Sequence, residues 1–302
     1  MEKYIKTPTI LVYEDTRKKI FVKNETLQIG GAFKYRGVYN KLLNEGCMDK
    51  YKGIITASTG NHGIAVSIAA SKSDIKCIVV VPRNTSKIKK DRIAQYGAEV
   101  IDDMFDTYDE CMNYCMKREV NEEYLYISSF DDLQMIEGHK SMFCECSDEY
   151  GGMFFDTCIC AVGGGGLVGA AQSYKGKLFK RLIGVEIEKY DAMRQSLEKG
   201  ERIKISLEGS QHSLCESLLI SKVGELPYSI AKQNELDVVT VSENEVKKAI
   251  FMLSKNGIVA EGAGAITVAT AMRDEYMGNI LCVVSGGNIN QDEYERIKRG
   301  EA

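Results

Sequence analysis

Short apolar runs recur along this chain, each followed by a turn and a helical pattern. That alternation restricts the fold more than any other feature. Residues 53–57 (GIITA) read as a strand, and after a Gly/Asn turn a helix is expected over 64–72. A second strand at 77–81 stops at Pro82, and a basic helix over 86–95 is closed by Gly97. Residues 100–101 and 125–127 are further short strands around another helix. A second series starts near 134: a helix, a strand at 157–162, four glycines, a short helix and a strand at 182–186. Residues 237–241 precede Ser242-Glu243-Asn244-Glu245, a capping box that opens a helix. A last strand covers 280–284. Strands that are apolar throughout and alternate with helices belong to parallel sheets covered on both faces. The expected fold is therefore α/β, with two lobes of open, mostly parallel twisted sheet. A ligand is expected in the cleft between them, beyond the carboxyl ends of the strands. Residues 200–236 have weak periodicity, and no element is assigned there.

Composition narrows the partners. The net charge of −4 gives no basic surface for nucleic acid or an anionic membrane. The apolar runs are far too short to span a bilayer. The opening residues, MEKYIKTPTI, carry no apolar signal segment. None of the ten cysteines forms a C-x-x-C pair, and Cys77, Cys158, Cys160 and Cys282 lie inside strand-like runs. Buried thiols in a reducing, cytoplasmic setting are expected, not disulfides or zinc.

Four segments carry chemistry. Gly163, Gly164, Gly165 and Gly166 follow an apolar strand and precede Leu167. Without Cβ atoms, their backbone N–H groups can converge on one point. The helix start behind them adds unpaired donors, which together suit a phosphate. The loop lacks the Gly-Lys-Ser/Thr ending of a P-loop. A tightly packed strand–helix turn fits the same residues. Lys34 stands between Phe33 and Arg36, just after Gly30 and Gly31. An imine-forming lysine needs partial desolvation and nearby cations, although a solvated helix face reads the same way. Ser58-Thr59-Gly60-Asn61-His62-Gly63 joins a strand to a helix and can cradle a carboxylate. A simple N-cap by Ser58 or Thr59 accounts for one hydroxyl of that cluster. Finally, Ser285-Gly286-Gly287-Asn288 ends the last strand, where a hydroxyl can face a planar ligand.

In this order the segments resemble the fold-type II pyridoxal-phosphate enzymes, which share the tryptophan synthase β-like fold. The likeness is greatest to the serine/threonine dehydratase and serine racemase branch. The branch pattern K-x-E-x-x-Q-x-x-G-S-F-K-x-R-G matches Lys23 to Gly37, with Ala32 in place of serine. S-x-G-N-H-G matches Ser58 to Gly63, and the GGGG loop matches without change. E-P-x-G-A matches Glu261 to Ala265 with Gly262 for proline, and S-G-G-N matches Ser285 to Asn288. Weaker matches include Ser129-Phe130-Asp131. The resemblance runs from about Thr7 to about Asn290.

By that resemblance Lys34 is the Schiff-base lysine and the base at the substrate Cα. Phe33 packs beside the cofactor ring, Asn61 bonds the 3-oxygen, and Ser285 partners the ring nitrogen. Gly163 to Gly166, with Leu167, cradle the phosphate, while Ser58, Thr59, Asn61 and His62 hold the substrate carboxylate. The implied activity is β-elimination from a small β-hydroxy amino acid such as L-threonine or L-serine, giving a 2-keto acid and ammonia. The cofactor phosphate is the family's expected proton donor to the leaving hydroxyl. Residues 1–52 and 137–302 are expected to form the large cofactor-binding lobe, and 53–136 the small lobe carrying the substrate turn. A homodimer is implied. Racemisation needs a second acid/base opposite Lys34. Racemases place a serine where Thr59 stands, so the racemase is the alternative reading. A phosphate-ligand binder without activity is a second one. Gly138-His139-Lys140-Ser141 departs from the usual G-Q-G-T. Glu186 and Glu216 are the candidates for a divalent cation, and no metal is expected. The chain ends soon after its last motif, so regulation by isoleucine is not expected.

Overall fold

A computed structural model describes residues 3–46, 48–122, 124–210 and 213–301. It contains ten strands: β1 (Thr9–Glu14), β2 (Lys18–Asn24), β3 (Gly53–Ala57), β4 (Cys77–Val80), β5 (Glu99–Ile101), β6 (Tyr124–Tyr126), β7 (Phe155–Ala161), β8 (Phe179–Ile187), β9 (Asp237–Val241) and β10 (Gly278–Val284). The helices are α1 (Lys34–Asn44), α2 (Asn61–Ser71), α3 (Lys87–Ala94), α4 (Tyr108–Glu122), α5 (Leu133–Tyr150), α6 (Gly166–Gln172), α7 (Ala192–Lys199), α8 (Glu225–Gln233), α9 (Glu243–Lys255), α10 (Gly262–Ala271) and α11 (Gln291–Arg299).

The strands form two sheets. One has the order β1-β2-β10-β7-β8-β9, the other β5-β4-β3-β6. Every pairing is parallel except the edge hairpin of β1 with β2. The mixed α/β fold with mostly parallel sheets is as the alternation predicts. Side chains of β2 alternate between the two faces of the large sheet. Ile20 and Val22 join one buried cluster with Ile183, Val185 and Ile266, while Phe21 joins another with Phe143, Cys158 and Phe179. Around the small sheet, Ile54, Ile64, Val66 and Val79 pack with Tyr35, Val38 and Leu42 of α1. Among the described residues no helix is long and apolar enough to cross a membrane.

The hairpin of β1 and β2 has no counterpart in the sequence reading, which assigns no strand before residue 53. Two lysines in a buried strand mask its apolar pattern. Lys18 Nζ donates to Ala271 O at 2.9 Å and Arg273 O at 2.7 Å. Lys23 Nζ donates to Thr7 O at 2.6 Å and Glu145 Oε2 at 2.7 Å. The capping box at Ser242 forms as expected: Ser242 Oγ accepts from Glu245 N, and Glu245 Oε2 accepts from Ser242 N.

Arg36 sits on the first turn of α1 and is fully buried. Its Nε and Nη2 donate to Glu25 at 2.7 and 2.8 Å, and its Nη1 and Nη2 donate to Glu145 at 2.6 and 2.9 Å. Thr7 Oγ1 and Ser141 Oγ accept two more bonds. The guanidinium thereby ties α1 to the segment after β2 and to α5. Removing one partner of such a pair leaves buried charge uncompensated. Arg36→Ala is expected to lower the unfolding free energy by about 3–5 kcal/mol, read from urea denaturation. A loss below about 1 kcal/mol would show that the network does not hold α1.

Candidate active site

One cleft gathers residues that follow the carboxyl ends of β3, β6, β7 and β10. It encloses about 790 Å³, its open mouth included. Phe33, Lys34, Ser58, Thr59, Asn61, His62, Gly163, Gly164, Gly165, Gly166, Leu167 and Ser285 all line it. They run from residue 33 to residue 285 of the chain, so only the fold brings them together.

Lys34 is half-buried, and its Nζ donates to Ser129 O at 2.6 Å and lies 4.9 Å from the centre of the Phe33 ring. Burial lowers its pKa to about 8. A share of the amine is therefore neutral and nucleophilic near physiological pH. Phe33 is held from two sides. Its backbone N–H donates to Ser285 O at 3.0 Å, and its ring packs against the buried His139 imidazole at 4.6 Å. His139 is one of the residues that depart from the branch pattern. Neither of its ring nitrogens has a partner among the described residues.

The glycine loop is shaped by close approach. A Cβ on Gly164 would lie 1.9 Å from Phe130 Cγ. Gly165 has φ +93°, in the left-handed region that favours glycine. The loop carries no side chains, and the first turn of α6 leaves backbone N–H groups without intrahelical acceptors. Leu218 closes over it, its Cα 3.1 Å from where a Gly163 Cβ would be.

In the substrate turn, Ser58 Oγ accepts from Gly60 N at 3.0 Å and Gly63 N at 2.8 Å. Neither Ser58 nor Thr59 is the N-cap expected from the sequence: Gly60 takes that position on α2, and Ser58, two residues earlier, holds the first-turn N–H of Gly63. Thr59 Oγ1 makes no hydrogen bond to a described residue. His62 is buried, and its Nε2 lies 2.9 Å from Thr56 Oγ1 and 3.1 Å from Ile127 O. Burial and the Lys34 charge lower its pKa to about 3, so it is neutral. Asn61 is fixed at both ends of its amide. Its Nδ2 donates to Glu261 Oε1 at 2.5 Å, and its Oδ1 accepts from Asn288 Nδ2 at 2.7 Å. Burial raises the Glu261 pKa against the opposing bond from Asn61. Ser285 is buried and bonded to Ala263 O at 3.3 Å.

These groups fit pyridoxal phosphate. The site holds a desolvated amine, a side-chain-free backbone loop, a fixed amide and a strand-end hydroxyl around one cavity. Glu186 and Glu216, the cation candidates, are engaged separately. Glu186 accepts from Met193 N and Arg194 N at the start of α7, each at 2.9 Å. Glu216 pairs with Lys89.

Sequence reasoning missed Tyr108, Ser129, Phe130 and the 217–220 segment as cleft residues. Ser129-Phe130 was visible as a weak motif. Residues 217–220 lie in the region without periodicity, and Tyr108 starts a helix with nothing local to mark it.

The family model described as pyridoxal-phosphate dependent enzyme matches residues 3–286. The chain is 32% identical over 295 residues to the catabolic L-threonine dehydratase TdcB of Escherichia coli strain K12, covering 94% of this chain and 87% of that one. It is 31% identical over 318 residues to the serine racemase of Dictyostelium discoideum, covering 98% and 94%. The processed form of threonine deaminase isoform 2 from Solanum lycopersicum superposes with TM-score 0.85 at 26% identity, covering 98% of this chain and 83% of that one.

The Lys34 environment is testable without any ligand. Trace acetylation followed by peptide mass spectrometry should show Lys34 reactivity rising with pH and levelling above about 8. A midpoint near the ordinary lysine value of about 10.4 would contradict a desolvated amine.

Proposed function

The chain belongs to the pyridoxal-phosphate-dependent enzyme family, and we propose that it removes water and ammonia from a small β-hydroxy amino acid such as L-threonine or L-serine, leaving a 2-keto acid. The observation that carries this reading is the convergence of Lys34, the glycine loop, Asn61 and Ser285 on one cleft. Lys34 holds the cofactor, Gly163 to Gly166 with Leu167 receive its phosphate, and Phe33 flanks its ring. Asn61 meets the 3-oxygen, and Ser285 meets the ring nitrogen. Bound pyridoxal phosphate supplies the electron sink that makes the substrate α-proton removable.

The chain's own groups do the rest. The 58–63 turn orients the substrate carboxylate with its backbone N–H groups and the Thr59 hydroxyl. Lys34, released when substrate binds, is the base that takes the α-proton. Ser285 is uncharged and does not fix a proton on the ring nitrogen, a setting that favours elimination over transamination. Asn61 is held by Glu261 and Asn288, so one N–H remains to point into the cleft.

The proposal includes the division into a small lobe of 53–136 and a large lobe of 1–52 and 137–302. The small sheet draws its strands from 53–126, which supports it, although α1 shares its core. A homodimer in the cytoplasm completes the proposal, in keeping with the reduced, mostly buried thiols.

Racemisation is the second reading, favoured by the likeness to a serine racemase over nearly the whole chain. Thr59 separates the two. Lys34 serves one face of Cα, and a proton on the other face needs a second group within hydrogen-bond reach. The β-branch of Thr59 restricts its rotamers. Keto acid from L-serine or L-threonine should therefore exceed the D-enantiomer, and Thr59→Ser should raise the D-product. A keto acid assay beside chiral chromatography decides it. Mainly D-amino acid from the wild type would replace elimination with racemisation.

A further inference from the structure

Elimination of a hydroxyl needs a proton, because hydroxide is a poor leaving group. We propose that Tyr108 is a further catalytic residue, its phenol donating the proton that the departing β-hydroxyl takes up. This rests on the β-elimination reading above.

Geometry singles out the phenol. Tyr108 lines the cleft with Lys34 and the substrate turn. Its Oη lies 2.9 Å from Ser129 Oγ, while the carbonyl of the same Ser129 accepts from Lys34 Nζ at 2.6 Å. One residue thus holds both the amine that works at Cα and a phenol beside it. The β-oxygen is two bonds from Cα, so an acid for it must lie within a side chain's reach of the Lys34 amine. Most other polar groups of the cleft are committed elsewhere. The His62 Nε2 is taken up by Thr56 and Ile127, and Asn61 is held by Glu261 and Asn288. Glu261 sits on the Asn61 side of the cleft, and Thr59 belongs to the carboxylate turn.

The phenol is also kept protonated and anchored. Burial raises its pKa, outweighing the bond to Ser129. Tyr108 begins α4, and the next residue, Asp109, reaches across the cleft. Its Oδ2 pairs with Lys204 Nζ and accepts from Ser221 Oγ, each at 2.7 Å. The first turn of α4 is therefore tied to residues 204 and 221, and the phenol it carries is held by Ser129.

The step balances. Lys34 takes the α-proton, and the Cα–H electron pair becomes the second bond between Cα and Cβ. The Cβ–O bond breaks, its pair stays on oxygen, and that oxygen takes the Tyr108 proton and leaves as water. The proton on Lys34 then returns to the phenolate through solvent in the cleft, which restores both groups. In the family the cofactor phosphate is the expected donor. The two donors make opposite predictions for loss of the phenol.

The test compares L-serine with L-β-chloroalanine, whose chloride leaves without a proton, on the cofactor-loaded wild type and Tyr108→Phe. Pyruvate formation from L-serine should fall about 100-fold in kcat, and that from β-chloroalanine by less than about threefold. The visible absorption of the loaded protein and its affinity for pyridoxal phosphate should stay unchanged. Equal losses on both substrates would make the residue structural, and unimpaired L-serine turnover would leave the proton to the phosphate; either overturns the proposal. A wild type that makes pyruvate from neither substrate would instead refute the elimination reading, and this inference with it. 3-Fluorotyrosine in place of Tyr108 keeps the shape and acidifies the phenol. It should move the basic limb of the L-serine kcat profile to lower pH, and an unmoved limb also overturns the proposal.

Discussion

The buried contact of Arg36 with Glu25 and Glu145 is the constraint on which the site depends. Lys34 lies two residues before Arg36, at the first position of α1. Fixing the guanidinium fixes the backbone from which the Lys34 side chain leaves, and Ser129 O then holds its amine. Opposing carboxylates hold the Arg36 charge firmly in place despite its burial. Lys23 adds a second cation to Glu145 from inside β2. Such a network is unlike an apolar core: it costs desolvation and tolerates only one geometry. Here that one geometry is a lysine aimed into a cleft. Phe33 reinforces it from the other side through its bond to Ser285 O, which couples the start of α1 to the end of β10.

The two sheets then divide the chemistry. Ends of the large sheet supply the glycine loop and Ser285, and the small sheet supplies the 58–63 turn. Contacts across the cleft differ in strength. The Asn61 bond to Glu261 is buried and charge-assisted when Glu261 is ionised. The pairs of Lys89 with Glu216 and Lys204 with Asp109 are half-exposed, and such pairs are weak and screened by salt.

Much of this was legible in the sequence because the site residues sit in local signals. Strand-end glycines, a strand-to-helix turn and a capping box are read from neighbours a few positions apart. What was not legible depends on distant partners. The strand β2 is disguised by Lys18 and Lys23, whose charges are satisfied by residues at 7, 145, 271 and 273. Residues 217–220 have no period because they pack as a cover on the glycine loop, not as part of a sheet or a long helix. Glu261 carried a motif but no role until Asn61, 200 positions earlier, was placed against it. Tyr108 and Ser129 meet only because β6 returns beside β3.

Lys34 is proposed as the residue that carries the cofactor. Borohydride reduction of the pyridoxal-phosphate-loaded protein, followed by digestion and peptide mass spectrometry, tests it directly. The pyridoxyl group should be found on the peptide that contains Lys34 and on no other. A label on a different lysine, with Lys34 unmodified, would contradict that assignment.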